Sequence, residues 1–206
     1  MPSPHEVRTY LYGIWLLLKS DPAGLNLLDT SKRGVWHSFW AVAWVMPVYL
    51  IMWTHGWQEY RIAFPDTDET TVTFFAKSAL VGLGDMLLPI AGLAIGLMLL
   101  KKRSLFRQLV VIWNWGGVVA LYIGLALLLA LIFPQEPLED PWWSLRFYGL
   151  FVLFAVYVAL LFIAIWRILR TVVGGSLFLR LAIFANLSLP LLLLTPLEKR
   201  LGIDLP

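Results

Sequence analysis

SALVGLGDMLLPIAGLAIGLMLL, Ser78–Leu100, is the stretch that decides the fold. It lies between Lys77 and Lys101 and carries one charged group, Asp85. About 20 apolar residues in a helix cross a bilayer core of roughly 30 Å, whereas a buried helix of a soluble domain needs fewer. This segment is therefore read as a membrane span. Working outward, uncharged stretches of comparable length run from Arg107 to Glu136 and from Arg146 to Arg167. Upstream, another lies between Arg33 and Glu59, centred on Trp40–Trp53. The last, between Arg180 and Glu198, is the weakest. It contains Asn186 and Pro190, and it reaches back to Gly175 if Arg180 snorkels to the surface. The expected fold is all-α: a polytopic transmembrane helix bundle of five spans with a short N-terminal interfacial amphipathic helix. Residues 1–33 form the cytoplasmic interfacial segment, 34–197 the bundle and 198–206 the tail. Composition agrees: 60% of residues are hydrophobic and 14% charged, against about 25% charged in a soluble domain.

Lys and Arg in the connections set the orientation. Arg8, Lys19, Lys32, Arg33, Lys101, Lys102, Arg103, Arg107, Arg167, Arg170 and Arg180 fall on one side. Arg61, Lys77, Arg146, Lys199 and Arg200 fall on the other, so 11 of the 16 basic residues share a side. That side is expected to be cytoplasmic, with the N-terminus there and the C-terminus outside. Glu59, Asp66, Asp68, Glu69, Glu136, Glu139 and Asp140 lie in the outer connections. Tryptophans mark the same boundaries, as interfacial aromatic belts do. Trp36, Trp113, Trp115 and Trp166 fall at inner ends, and Trp53, Trp57, Trp142 and Trp143 at outer ends. Trp44 lies deeper, and Trp36, Trp40 and Trp44 at four-residue spacing are expected to share one packing or lipid-facing stripe. The first long apolar run starts at Gly34 with no small-residue cleavage site behind it, so the first span is expected to direct insertion itself.

Ahead of that span, Val7, Tyr10, Leu11, Ile14, Leu17 and Leu18 recur at helical spacing, which predicts an amphipathic helix over Glu6–Lys19. Too short to cross, it is expected to lie flat in the cytoplasmic interface. Ser20-Asp21-Pro22 reads as a stop and restart, Ala23–Leu28 as a short turn, and Thr30 or Ser31 as the cap of the first span.

Within the spans, Gly92 and Gly96, and Gly116, Ala120 and Gly124, form small-xxx-small ladders that let helix backbones approach closely in lipid. Asp85 stands out, because a carboxylate at this depth costs several kcal/mol unless it is neutral, paired or hydrated. Gly92 and Gly96 fall near its face, so it is expected to look into the bundle. By depth its expected partner is Asn186, with Asn114 shallower and Pro89 and Pro190 each freeing a backbone carbonyl nearby. Three readings stand: a neutral carboxyl bonded to Asn186 or a free carbonyl, a proton or cation relay, and a contact to another membrane subunit. Lys101, Lys102, Arg103 and Arg107 form a short basic turn, explained by topology and suited to anionic lipid headgroups.

Enzymatic motifs are missing. Cysteine is absent, as are HExxH, GxSxG and Walker-type loops. His37 and His55 sit at opposite ends of the first span, and Ser38, Ser78 and Ser188 have no deep His to act as base. No catalytic residue, metal or cofactor is expected, and nucleic-acid binding is not indicated.

The lead-in Tyr10–Asp29, the Lys32-Arg33-Gly34-Val35-Trp36 entry to the first span and five tightly spaced helices together resemble the bacterial branch of the Yip-domain family of small membrane proteins. The resemblance is one of plan over nearly the whole chain. It implies a helical inner-membrane protein without known enzymatic activity in bacteria; in eukaryotic relatives it implies a membrane-trafficking adaptor, a role not carried over. No functional residues transfer with it. The expected function is that of a non-enzymatic accessory or scaffold subunit of the bacterial inner membrane, binding lipid, a partner membrane protein or a second copy. The alternative is a small transporter or channel component that uses Asp85.

Overall fold

The computed structural model describes residues 1–132 and 141–203, with the side chains of 131, 132 and 141–147 outside that description. The acidic residues Glu136, Glu139 and Asp140 and the side chains of Trp142, Trp143 and Arg146 therefore lie outside the described residues. Everything regular in the described part is helical. The helices are α1 (Pro4–Leu18), α2 (Lys32–Ser38), α3 (Ala41–Ala63), α4 (Thr71–Leu99), α5 (Phe106–Ile132), α6 (Pro141–Val173), α7 (Leu177–Ser188) and α8 (Leu194–Leu201). Five continuous helical stretches are long and apolar enough to cross a membrane: Lys32–Ala63, Thr71–Leu99, Arg103–Ala130, Tyr148–Val173 and Leu177–Leu201. The shortest has 25 residues, about 38 Å at 1.5 Å per residue. The chain is a multi-pass helical membrane protein.

Local chemistry sets the boundaries. Ser3 and Glu6 form a capping box on α1: the Ser3 hydroxyl accepts from the Glu6 N–H at 3.3 Å, and the Glu6 carboxylate accepts from the Ser3 N–H at 2.7 Å. These bonds hold the Glu6 carboxyl below its usual range. The helix stops at Ser20, which takes a left-handed φ of 63°. Asp21 then caps a 3-10 turn over Pro22–Leu27, accepting from the Ala23 N–H at 2.9 Å. That turn folds back onto α1 through Gly13 and Gly24, where a Cβ on Gly24 would overlap the Gly13 carbonyl oxygen. Ser31, of the two expected candidates, caps α2 by accepting from the Gly34 N–H at 3.1 Å.

The face of α1 is spent differently from the expectation. Val7, Tyr10, Ile14 and Leu17 are buried in one cluster with Val111, Ile112, Trp115 and Val118 of α5 and Ala41 and Val45 of α3, and α1 packs on α5 and α6. The Tyr10 and Trp115 rings lie 5.2 Å apart. The helix docks on its own bundle, while Tyr12 and Trp15 on its far side stay about half exposed. Trp115 is correspondingly a core residue, 1% exposed, and no part of an interfacial belt. Trp36, at 74%, is open as a belt residue should be.

The first span is not one smooth helix. At Phe39–Trp40 the ladder tightens to i→i+3 bonds, with Val42 donating to the Phe39 carbonyl at 3.1 Å and Ala43 to that of Trp40 at 3.0 Å. The break separates α2 from α3 and dissolves the expected single stripe: Trp36 points away from the protein while Trp44 packs on the α1–α3–α5 core.

α7, a 3-10 turn over Leu189–Leu193 containing Pro190, and α8 form the last stretch. Gly174 and Gly175, with φ of 56° and 62°, make the preceding turn, and the Ser176 hydroxyl caps α7. The stretch runs antiparallel to α4. Asn186 lies on Gly96 and Gly92, Pro190 on Gly92, and Leu194 and Leu197 near Gly84. Leu93, Leu97, Leu109, Val110, Leu169, Ile183 and Leu187 fill the second core, between α4, α5, α6 and α7. The Arg180 guanidinium lies 5.1 Å from the Trp166 ring. On α6, Phe151, Val152, Leu160, Phe162 and Ile163 face outward, as lipid-solvated side chains do.

Candidate functional site

Between α3, α4, α5 and α6 lies a partly open cavity of about 650 Å³. Ile14 and Leu18 of α1 reach it, as do Leu187 of α7 and Leu191. Small residues make the room: Gly82 on α4, Gly116, Gly117 and Ala120 on α5, and Ala164 on α6 all line it. A Cβ on Gly116 or Gly117 would have nothing within 4 Å. The α5 ladder is thus split between two tasks. Gly116 faces the cavity and packs no helix against it. Ala120 and Gly124 meet α6, where the Tyr157 hydroxyl donates to the Ala120 carbonyl at 2.6 Å and would stand 3.1 Å from a Cβ on Gly124. The Gly92–Gly96 ladder packs helix on helix as expected, against Asn186 and Pro190.

Asp85 lines this cavity, half-buried, with its Oδ2 accepting from the Tyr49 hydroxyl at 3.0 Å. The Tyr49 ring stacks on Trp53 with centroids 5.7 Å apart, and both rings belong to the cavity wall. The expected partnership with Asn186 does not form. Asn186 packs seven to eleven residues along α4 from Asp85, about 10–16 Å at 1.5 Å per residue. Its amide instead donates to the Ala182 carbonyl one turn back, at 2.7 Å. Asn114 also lines the cavity, but its amide is bound elsewhere: Nδ2 donates to the Ser38 hydroxyl at 2.9 Å, and Ser38 donates on to the Val35 carbonyl at 2.7 Å. Both residues of this pair are buried. The three polar residues read from the sequence therefore serve three places: a cavity wall, a helix–helix groove and the α2–α5 contact.

Tyr49 is the site residue that sequence reasoning passed over. A signal existed. Tyr49 lies 14 residues before the end of α3 at Ala63, and Asp85 lies 14 residues after the start of α4 at Thr71. Counted from the turn that joins the two helices, they share a depth of about 21 Å. A tyrosine far from both interfaces, where aromatic belts place it, marks a hydroxyl that needs a partner.

The rim of the cavity is apolar and open. Met46, Leu83, Ile123 and Leu160 line it while being 37–57% exposed, so the space communicates sideways with the outside of the bundle. The basic turn Lys101, Lys102, Arg103 and Arg107 is exposed at one end of the bundle, with Lys101 in a left-handed φ of 54°. At the opposite end Lys77 pairs with Glu69, whose carboxyl is held below its usual range by hydrogen bonds from Lys77 and Thr73. No three His, Asp or Glu side chains converge to hold a metal among the described residues. Comparison with protein-family models, with curated proteins and with solved structures finds no match to this chain.

Proposed function

We propose that this chain is a non-enzymatic protein of the bacterial inner membrane, of accessory type, whose bundle binds a lipid or lipid-like molecule in the cavity between α3, α4, α5 and α6. Its N-terminus is placed in the cytoplasm and its C-terminus outside, on the distribution of Lys and Arg. Kinship with the Yip-domain family is proposed on the plan of the chain alone.

The observation that carries the reading is the cavity itself. Its volume of about 650 Å³ falls within the 300–1,000 Å³ typical of ligand pockets, which are mostly apolar with a few placed polar groups. Among the described residues the wall is apolar except for Asp85, Asn114, Tyr49, Tyr157 and the indoles of Trp53 and Trp113. Its exposed apolar rim favours a molecule that arrives from the hydrocarbon of the bilayer over one that arrives from water. Purification of the full chain in mild detergent, followed by extraction and mass spectrometry, should recover an apolar small molecule in near-stoichiometric amount. Gly116→Leu, which fills the cavity, should lose it. Recovery of a stoichiometric membrane-protein partner, with no small molecule, would overturn ligand binding in favour of a scaffold subunit. A small transporter using Asp85 is the second reading, favoured by the placement of that carboxyl on the cavity wall.

A further inference from the structure

The charge on the cavity wall is one-sided. Asp85 is its carboxyl, and among the described residues no Lys, Arg or His lines it. The cation nearest along α4 is Lys77, eight residues away and already paired with Glu69, about 12 Å along the axis. Tyr49 occupies one acceptor position of a carboxyl that offers about four when ionised. The other titratable side chain on the wall, Tyr157, spends its hydroxyl on the Ala120 carbonyl. The protein therefore builds half of an ion pair and sets it against an apolar space of ligand size, beside the stacked rings of Tyr49 and Trp53, whose faces attract cations.

We infer that the ligand is a lipophilic amine, with its apolar body in the cavity and one ammonium group at Asp85. This rests on the lipid-like ligand proposed above and names the chemistry of its polar end. The amine enters neutral through the apolar rim, and the carboxyl proton of Asp85 passes to the amine nitrogen. Ammonium and carboxylate then form together, with the Tyr49 hydroxyl still donating to Oδ2. No separated charge crosses hydrocarbon, which would be the costly step. A carboxylate alone there would be an uncompensated buried charge, which is why ionisation and pairing occur together.

The test uses the full chain in nanodiscs of zwitterionic phosphatidylcholine and two fluorescent probes, 1-pyrenemethylamine and 1-pyrenemethanol. They share the apolar body and differ in the amine. Saturable energy transfer from tryptophan to pyrene reports binding. The amine should bind at least about ten-fold more tightly than the alcohol, a gap typical of one well-placed charged contact. Asp85→Asn should bring the two within about two-fold, mainly through lost affinity for the amine, and Gly116→Leu should weaken both. Equal affinities in the native chain, both lost in Gly116→Leu, would overturn the amine and leave the lipid-like ligand standing. Binding of both probes that Gly116→Leu does not touch, or saturable binding of neither, would overturn both readings. A preference for the amine that survives in folded Asp85→Asn would remove Asp85 from the assignment. Should Asp85→Asn fail to fold, the amine-to-alcohol ratio in the native chain decides alone.

Discussion

Two side-chain hydrogen bonds between helices make opposite demands on their residues. Ser38 and Asn114 bond inside packed protein, and Ser38 also serves the Val35 carbonyl. Ser38→Ala removes the acceptor of the buried Asn114 amide. An unsatisfied buried group costs about 1–3 kcal/mol, above the roughly 0.6 kcal/mol average for hydrogen bonds between membrane helices. The higher figure applies because Ser38 and Asn114 are enclosed by protein, not lipid. At Asp85, in contrast, Asn keeps an acceptor for the Tyr49 hydroxyl, and the cavity gives the side chain room to adjust. Thermal or denaturant unfolding in detergent should show Ser38→Ala losing about 1–3 kcal/mol and Asp85→Asn losing less than about 0.5, as a conservative change at an open site does. Equal losses would mean that the Asp85–Tyr49 bond is structural in the same sense as the Ser38–Asn114 bond.

Between elements, glycine decides what touches and what stays open. Gly96 lies against the Asn186 side chain and Gly92 against the Asn186 carbonyl, so a methyl group at either position would overlap atoms of α7. Gly116 has no such neighbour. Gly96→Ala should therefore destabilise by about 1–3 kcal/mol, as overpacking does. Gly116→Ala should be neutral or gain up to about 1 kcal/mol from helix propensity. A stability series on these two variants reads the α4–α7 contact and the cavity side by side; comparable losses at both would contradict the placement of Gly116. α1 belongs to this scale too. It reads as interfacial from its pattern, yet its apolar face covers α5 and α6. Amphipathicity shows that a helix has a face to bury and leaves open whether lipid or protein receives it.

Over the whole molecule, the proposed topology has five crossings, which would put the two ends on opposite sides of the membrane. The native chain has no cysteine, and single thiols can report each side. Asp66→Cys and Ile203→Cys should label from outside intact cells with an impermeant maleimide, and Lys102→Cys should label only after permeabilisation. Labelling of Lys102→Cys from outside would invert the orientation. Shielding of Ile203→Cys alone would mean that the last stretch, for all its length along α4, does not carry the C-terminus across.

The number of spans, the break at Ser20–Pro22 and a cap at Thr30 or Ser31 are legible along the chain. Each depends on a residue's own solvation or on neighbours within a turn or two: a run of apolar side chains partitions into lipid, and a hydroxyl before a helix caps it. Other features are set only by the tertiary structure. The partner of Asp85 is Tyr49 and not Asn186, Asn114 pairs with Ser38, Gly116 faces a cavity, and α1 is bound to the bundle. These depend on the rotation and vertical register of one helix against another. Lipid is as apolar as the helices, so hydrophobicity does not set that register; close packing and interhelical hydrogen bonds do. Such contacts exist only between segments far apart in sequence, which is why the spans could be counted from the chain and their partners could not.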